Sequence, residues 1–372
     1  MVLDLTGTHP GEVGLQPDAA AVLSALADPR ALDHEPAPRG TRRAREAVAR
    51  YLSERGERGE RGERAGAAVD PDSVFLTAST SEAYAHLFRL LCEPGDEVLV
   101  PRPSYPLLEP IARLEDVGTH AYRLVHDGAW RLDPDSLEAS LTPRTRAIVL
   151  VEPNNPTGSL LSREEFALVE RICRERGIVL IVDEVFGDFP WAPRESPFPG
   201  RLGGRSVPTF VLGGISKPCG LPQLKLGWIA VDGPEPRLME LIPSLEWILD
   251  LFLSVGGPVQ WALPALLETR HDYQARVRGR LAENLAIIAD AEKRHAGSVL
   301  PCRGEGGWSA VLRIRPEGPE PGEELAEWAL RDRDVHVHPA HFYELDRDDL
   351  IVVSLLTPPD TLREALDRLA AP

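Results

Sequence analysis

Between Ala147 and Trp228 three short, β-branched runs follow one another, and each ends on a different polar group. Ala147-Ile-Val-Leu-Val151 leads into Glu152-Pro-Asn-Asn-Pro-Thr-Gly158, and Gly177-Ile-Val-Leu-Ile-Val182 stops at Asp183-Glu184. Thr209-Phe-Val-Leu-Gly-Gly-Ile215 stops at Ser216-Lys217, followed by Gly220-Leu-Pro-Gln-Leu-Lys-Leu-Gly-Trp228. Apolar runs of this length, separated by helical patterns, predict parallel strands buried on both faces. Ligands of such sheets sit beyond the strands' carboxyl ends. An amide from Asn155, a carboxylate from Asp183 and an amine from Lys217 are therefore expected in one crevice.

The same alternation extends upstream. Ser73-Val-Phe-Leu-Thr77, a helix over Ser81 to Leu91, Glu97-Val-Leu-Val100 and a helix over Tyr105 to Leu114 precede the three runs, which predicts a mostly parallel sheet covered by helices. Residues 1 to about 35, rich in Pro and Gly, read as an arm with one short helix over Asp18 to Ala27. A helix opening after Gly40 runs through Tyr51 and dissolves into the repeat Glu54-Arg-Gly-Glu-Arg-Gly-Glu-Arg-Gly-Glu-Arg64, whose alternating charges suggest a solvated loop. Leu238 to about His295 is mainly helical. Trp308 to Ile314, Val335 to His338 and Leu350 to Leu355 then read as strands of a smaller α/β unit.

A chain of 372 residues exceeds one ordinary domain, so two are expected. The formal charge of -17 argues against a nucleic-acid partner, since phosphate backbones need a basic face. Cys92, Cys173, Cys219 and Cys302 are far apart and show neither disulfide nor zinc spacing, which favours a reducing cytoplasm. The N-terminal residues lack a signal-peptide pattern. The most apolar region, Leu238 to Leu267, is interrupted by Glu240, Pro243, Glu246, Asp250 and Pro264, so no membrane span is expected.

Taken singly, Asp183 reads as a helix cap, Asn155 as a turn residue and Lys217 as a solvated side chain. Their joint placement favours a shared site. A lysine amine can hold an aldehyde cofactor as a Schiff base, a carboxylate can keep a pyridine nitrogen protonated, and an amide can bond a ring hydroxyl. That equipment is the equipment of pyridoxal phosphate chemistry. In order and wording, Asn-Asn-Pro-Thr-Gly, Asp-Glu-Val-Phe, Ser-Lys and Gly-Leu-Pro-Gln-Leu-Lys-Leu-Gly-Trp resemble the fold-type I, class I/II aminotransferases.

The resemblance implies a seven-stranded-type, mostly parallel sheet and a smaller, discontinuous α/β domain. Its expected boundaries are 1–35 for the arm and part of the small domain, 36–285 for the large cofactor-binding domain and 286–372 for the remainder. It implies that Lys217 carries the cofactor and moves protons, that Asp183 holds the pyridinium proton, and that Asn155 bonds the ring oxygen. Thr77-Ala-Ser-Thr-Ser81 joins a strand to a helix, where Ser79, Thr80 and Ser81 inherit a phosphate cup; an ordinary Ser/Thr cap is the other reading. Lys225 falls where relatives carry a phosphate-binding arginine, and Tyr105 where they stack a ring on the pyridine. His34 lies near the place from which a partner subunit reaches the phosphate in family homodimers.

Three positions depart from the family pattern. Phe186 replaces a tyrosine, Gly214 a serine, and Val352 an arginine that grips the substrate carboxylate. Another cation substitutes, with Arg313, His338 and His341 as candidates, or the substrate differs. Phe342 and Tyr343 line an apolar substrate pocket or belong to the core. The implied reaction is amino transfer between an amino acid or related amine and a 2-oxo acid; a lyase, decarboxylase or oxidase on the same scaffold, or a cofactor-binding regulator, are the alternatives.

Overall fold

The structure, a computed structural model, describes residues 1–57, 68–192, 202–253, 255–295, 297–315 and 324–371. Its strands in chain order are β1 (Leu3–Asp4), β2 (Val74–Thr77), β3 (Glu97–Arg102), β4 (Gly118–His126), β5 (Trp130–Leu132), β6 (Thr145–Val151), β7 (Val179–Asp183), β8 (Thr209–Gly214) and β9 (Gly227–Asp232). The chain continues with β10 (Val299–Cys302), β11 (Ser309–Ile314), β12 (Val335–His336), β13 (His338–Pro339) and β14 (Leu350–Ser354). The helices are α1 (Ala19–Leu26), α2 (Arg42–Glu57), α3 (Thr80–Leu91), α4 (Leu108–Leu114), α5 (Pro134–Ala139) and α6 (Arg163–Arg176). They end with α7 (Glu235–Phe252), α8 (Gly257–Glu268), α9 (Arg270–Arg294), α10 (Leu325–Arg333) and α11 (Pro359–Ala370).

The large sheet has the order β2-β9-β8-β7-β6-β3-β4-β5. Strands β8, β7, β6, β3 and β4 run parallel, as the buried apolar runs require. Strand β9 is antiparallel to both of its neighbours, and the three-residue β5 folds back on β4. The expected seven strands are thus present, with β5 added at one edge. Apolar layers cover both faces: Phe166, Val169 and Ile172 of α6 pack with Ile148, Leu150 and Leu180 on one, and Leu87 and Phe88 of α3 with Val149 and Ile181 on the other.

A smaller sheet, β10-β11-β14-β13, lies C-terminal to α9. Its residues alternate cleanly. Ile351 and Val353 join one apolar cluster with α9 and α11, while Leu350 and Val352 join the cluster shared with β6 and β7. The N-terminal arm belongs to the same packing: β1 pairs with β12, and Leu3, Leu5 and Leu15 sit in the core with Val335 and Ile351.

Several local expectations are corrected. The helix expected from Tyr105 begins at Leu108, because Pro106 disfavours helical backbone at the residue before it and opens a turn. The helix expected to fade near Tyr51 continues to Glu57, so the start of the charged repeat is helical. Its Arg55 is buried and bonded to Glu184, since the helix turns that side chain inward. Residues 58–64 of the repeat lie outside the described residues.

Candidate active site

Asp183 ends β7 with its side chain buried. The Val185 backbone N–H and the Tyr84 hydroxyl both donate to its carboxylate, each at 3.0 Å. Burial pushes this carboxyl up to about 6, against those two hydrogen bonds and the positive charge of Lys217. Lys217 follows β8, the strand next to β7. Its Nζ lies 5.3 Å from the Phe186 ring centre and 5.0 Å from that of Trp308. Burial among these groups lowers the amine to about 8, with Asp183 opposing the shift. The two groups therefore sense each other in one low-dielectric space.

Asn155 belongs to the loop leaving β6, whose end is beside Asp183: Val151 pairs with Asp183 across the ladder. The bonds Glu152–Pro153 and Asn155–Pro156 are cis, and Gly158 sits at φ +67°. A Cβ at Gly158 would meet the Gly306 carbonyl at 2.5 Å, so only glycine lets this loop dock against residues 304–307. From the strand that follows, the Ser309 hydroxyl donates to Asn155 Oδ1 at 3.1 Å.

At the other end of the site, Ser79 caps α3, its Oγ accepting from the Glu82 N–H at 3.1 Å. Glu82 reaches back to the Ala78 N–H at 2.5 Å. The capping role is real, and it uses the Glu82 amide; the Thr80 and Ser81 amides lie in the first turn, where a helix supplies no carbonyl partner. Gly227 passes close by: a Cβ there would touch the Ser79 backbone and Thr77 Oγ1 at 3.0 and 3.1 Å. Lys225, two residues before it, is exposed with φ 51°. Ser79, Thr80 and Ser81 are thus brought together at the start of α3, with the segment after Lys225 passing beside them.

Tyr105 is 45% exposed and packs edge-on to Phe342 and near Tyr343, with ring centres 6.3 and 6.4 Å apart. Val352 is fully buried on β14, opposite His338. Two of the proposed substitute cations are spoken for. Arg313 pairs with Asp349, and exposed His341 pairs with Glu324 at 2.7 Å.

Tyr84 and Trp308 are site residues that the sequence reading missed. Tyr84 falls four positions after Thr80, on the inward face of α3, and Trp308 immediately precedes β11. A cavity of about 450 Å³ opens elsewhere, between the β4–β5 edge and the small sheet, lined by Arg102, Arg123, Trp130, Arg313 and Arg347 among others. It contains none of the expected cofactor-binding residues, and of the three candidate cations only Arg313 lines it. Among the described residues no cluster suits a metal ion, and no described helix is long and apolar enough to cross a membrane.

The family model for aminotransferase class I and II matches residues 7–369. The chain belongs to that family. It is 32% identical to nicotianamine aminotransferase A of Hordeum vulgare over 276 residues, 73% of this chain and 58% of the relative. Against nicotianamine aminotransferase 1 of Oryza sativa subsp. japonica it is 30% identical over 285 residues, 75% of this chain and 55% of the relative. The chain thus spans somewhat over half the length of these curated relatives. The solved structure of an alanine aminotransferase from Pyrococcus furiosus superposes with TM-score 0.84 at 26% identity, covering 99% of this chain and 91% of its own. The fold is that of the fold-type I aminotransferases.

Class I/II aminotransferases are pyridoxal phosphate enzymes, and the residues here fit that group. A buried carboxylate pushed upward by desolvation is suited to a protonated ring nitrogen, which would return it to the ionised state. A partly neutral amine stands beside it. An α-helix N-terminus lies at the far end for the phosphate. Phe186 offers no hydroxyl, and its ring instead packs on Trp308 at 5.4 Å and shields Lys217.

Proposed function

We propose that the chain is a pyridoxal phosphate-dependent aminotransferase that moves an amino group between an amino acid or related amine and a 2-oxo acid. The observation that carries this reading is the Lys217–Asp183 pair. An amine drawn down to about 8 and a carboxylate pushed up to about 6 share one buried site beyond neighbouring strands. The two plant relatives and the solved structure named above are aminotransferases, which supports transfer over the lyase, decarboxylase and oxidase alternatives.

When bound, the cofactor supplies an aldehyde that captures amines and a ring that accepts an electron pair. Lys217 supplies the attacking amine: at pH 7 a group titrating near 8 is roughly 10% neutral, against well under 0.1% for an ordinary lysine. With the cofactor and substrate bound, its Nζ would take and return the proton at the substrate's reacting carbon. Asp183 holds the proton at the ring nitrogen, and Tyr84 and the Val185 amide hold Asp183. Asn155, oriented by Ser309, bonds the ring oxygen. Ser79, Thr80, Ser81 and Lys225 bind the phosphate, Lys225 as a point charge without the arginine fork. Tyr105 covers one face of the ring.

The functional unit is a homodimer in the cytoplasm. Support comes from α7, whose exposed face carries Met239, Pro243, Trp247 and Leu251 at four-residue intervals, followed by exposed Phe252 and Leu253. Such an apolar row is suited to contact with a second copy. Light scattering of wild type and Trp247→Asp tests the assembly; an unaltered monomer in both would sink it.

Reconstitution with pyridoxal phosphate, borohydride reduction and peptide mapping test the cofactor reading, with the label expected on Lys217. Incubation with amine donors and a 2-oxo acid should yield the donor's oxo product. Release of carbon dioxide or peroxide instead would move the assignment to the alternatives.

A further inference from the structure

Asp183 and Lys217 lie at the ends of neighbouring strands, and one buried side chain joins the turns that follow them. Gln274, on α9, has its amide sealed from solvent. Its Nε2 donates to Asp188 Oδ2 at 2.9 Å, in the turn after β7, and to the Pro218 carbonyl at 3.1 Å, in the turn after β8. The Arg278 guanidinium donates to its Oε1 at 2.9 Å. A carboxylate and a carbonyl accept and a guanidinium donates, so this amide has one orientation and its Nε2 serves both turns.

Pro218 directly follows Lys217 and has no N–H with which to fasten itself. The turn closes on long backbone bonds, from Cys219 to Ile215 at 3.2 Å and from Gly220 to Lys217 and Leu221 to Ile215 at 3.4 Å each. Helix α9 holds it from outside: besides the Gln274 bond, the Tyr273 ring lies so near that a Cβ at Gly220 would meet it at 2.6 Å. On the other turn, the Tyr51 hydroxyl donates to the same Asp188 oxygen at 2.6 Å, and Arg278 Nε donates to the Asp188 backbone carbonyl at 3.2 Å. Between Asp183 and Asp188 lies Phe186, the ring 5.3 Å from Lys217 Nζ. The turn fixed by Gln274 at Asp188 is therefore the one that shields the amine.

We propose that Gln274 is a positioning residue for the chemistry at Lys217: by tying the turn after β8 to the turn after β7, it keeps Nζ in the desolvated space against Phe186 and beside Asp183. Freed from that tie, the turn can carry Nζ toward water. Burial is what draws the amine down, so its ordinary basicity then returns. The inference rests on the aminotransferase reading and adds to it a residue that acts through Pro218 and Asp188.

Gln274→Met keeps the stem and removes the bonds to both turns. Asn284→Leu is the matched control: on the same helix and fully buried, Asn284 Nδ2 donates to two carbonyls, Leu355 at 2.7 Å and Thr357 at 2.8 Å, away from the lysine turn. A merely structural role for Gln274 would lower stability in both variants and move the lysine in neither. Reductive methylation of the cofactor-free protein, followed at Lys217 by mass spectrometry, should show the inflection near pH 8 moved toward the ordinary lysine value in Gln274→Met, with the initial rate at pH 7 lowered about threefold or more. Asn284→Leu should keep the wild-type curve. In protein loaded with pyridoxal phosphate, the pH midpoint of the visible absorption band should move in Gln274→Met alone of the two. Arg278→Met, at a half-buried position, removes the donor to Gln274 Oε1 and should move the labelling curve the same way by less; it decides the matter if Gln274→Met does not fold. A wild-type curve in the deciding variant, or an equal shift in Asn284→Leu, overturns the assignment. Failure of borohydride to label Lys217 overturns the aminotransferase reading and this inference together, whereas a labelled Lys217 whose titration ignores Gln274 overturns this inference alone.

Discussion

The Tyr84 hydroxyl donates to Asp183 Oδ2 at 3.0 Å, tying the first turns of α3 to the end of β7. The helix proposed to bind the phosphate therefore also sets the carboxylate proposed to meet the ring. Tyr84→Phe removes one of the hydrogen bonds that favour the ionised form and should raise the Asp183 pKa further. A hydrogen bond to a charged group is worth about 1.5–3 kcal/mol, so affinity for pyridoxal phosphate should fall by roughly 10- to 100-fold. Equilibrium titration of the cofactor measures it, and unchanged affinity would refute the coupling.

Asp183 makes a pH prediction whose sign follows from its raised value. The folded, cofactor-free protein binds this proton more tightly than the unfolded chain, so stability falls as pH rises from about 3.8 to about 6 and then levels. The shift corresponds to about 3 kcal/mol. Asp183→Asn avoids that loss and should stabilise the cofactor-free protein by about 2–3 kcal/mol at pH 7, with little effect below pH 4. Urea unfolding at both pH values checks it. The same variant should hold pyridoxal phosphate poorly.

Lys217 should react with aldehydes along a curve with its inflection near pH 8, well below an ordinary lysine. Asp183 opposes the shift, so the inflection should move lower still in Asp183→Asn. Initial rates of reductive labelling at Lys217, followed by mass spectrometry across pH 6 to 10 (about one unit per step), decide the matter. Coincident profiles for the two proteins would exclude electrostatic contact between them.

Arg55 bonds Glu184 at 2.9 Å and approaches Asp188 at 3.6 Å, and all three are buried. Tyr51 and Gln274 complete the network by donating to Asp188. Arg55→Met would leave two carboxylates buried without their counter-ion, a loss of about 3–5 kcal/mol. Arg55→Met/Glu184→Gln should recover part of it. Denaturant midpoints for the single and double variants test the non-additivity; simple addition of the two effects would argue against a shared network.

The parts of this molecule that could be read in advance are those where one residue type has few alternatives. Buried parallel strands need continuous apolar runs, so β6, β7 and β8 were legible along with the polar residues that terminate them. Strand β4 was not, although Ala121 to Leu124 alternates, because β5 pairs with only its last three residues and most of its side chains stay partly or fully exposed, which leaves a weaker signal. The antiparallel course of β9 follows a return from β8 that holds only the short helical turn Pro222–Leu224 and no crossover helix. Tyr84 reads as ordinary core on an amphipathic helix, and Arg55 is masked by its neighbours in a charge repeat. Neither partner is nearby in sequence, so only the fold reveals them.

The N-terminal arm meets the small sheet at β14: the Ser354 amide donates to the Leu5 carbonyl and its hydroxyl donates to the Gly7 carbonyl. Ser354 and Gly7 are 347 positions apart. During synthesis Lys217, Asp183 and α3 are all available long before this closure can form. The large sheet can therefore form on a growing chain before the small sheet is closed, and cleavage between Gly7 and Thr8 should loosen the small sheet while leaving the large one in place.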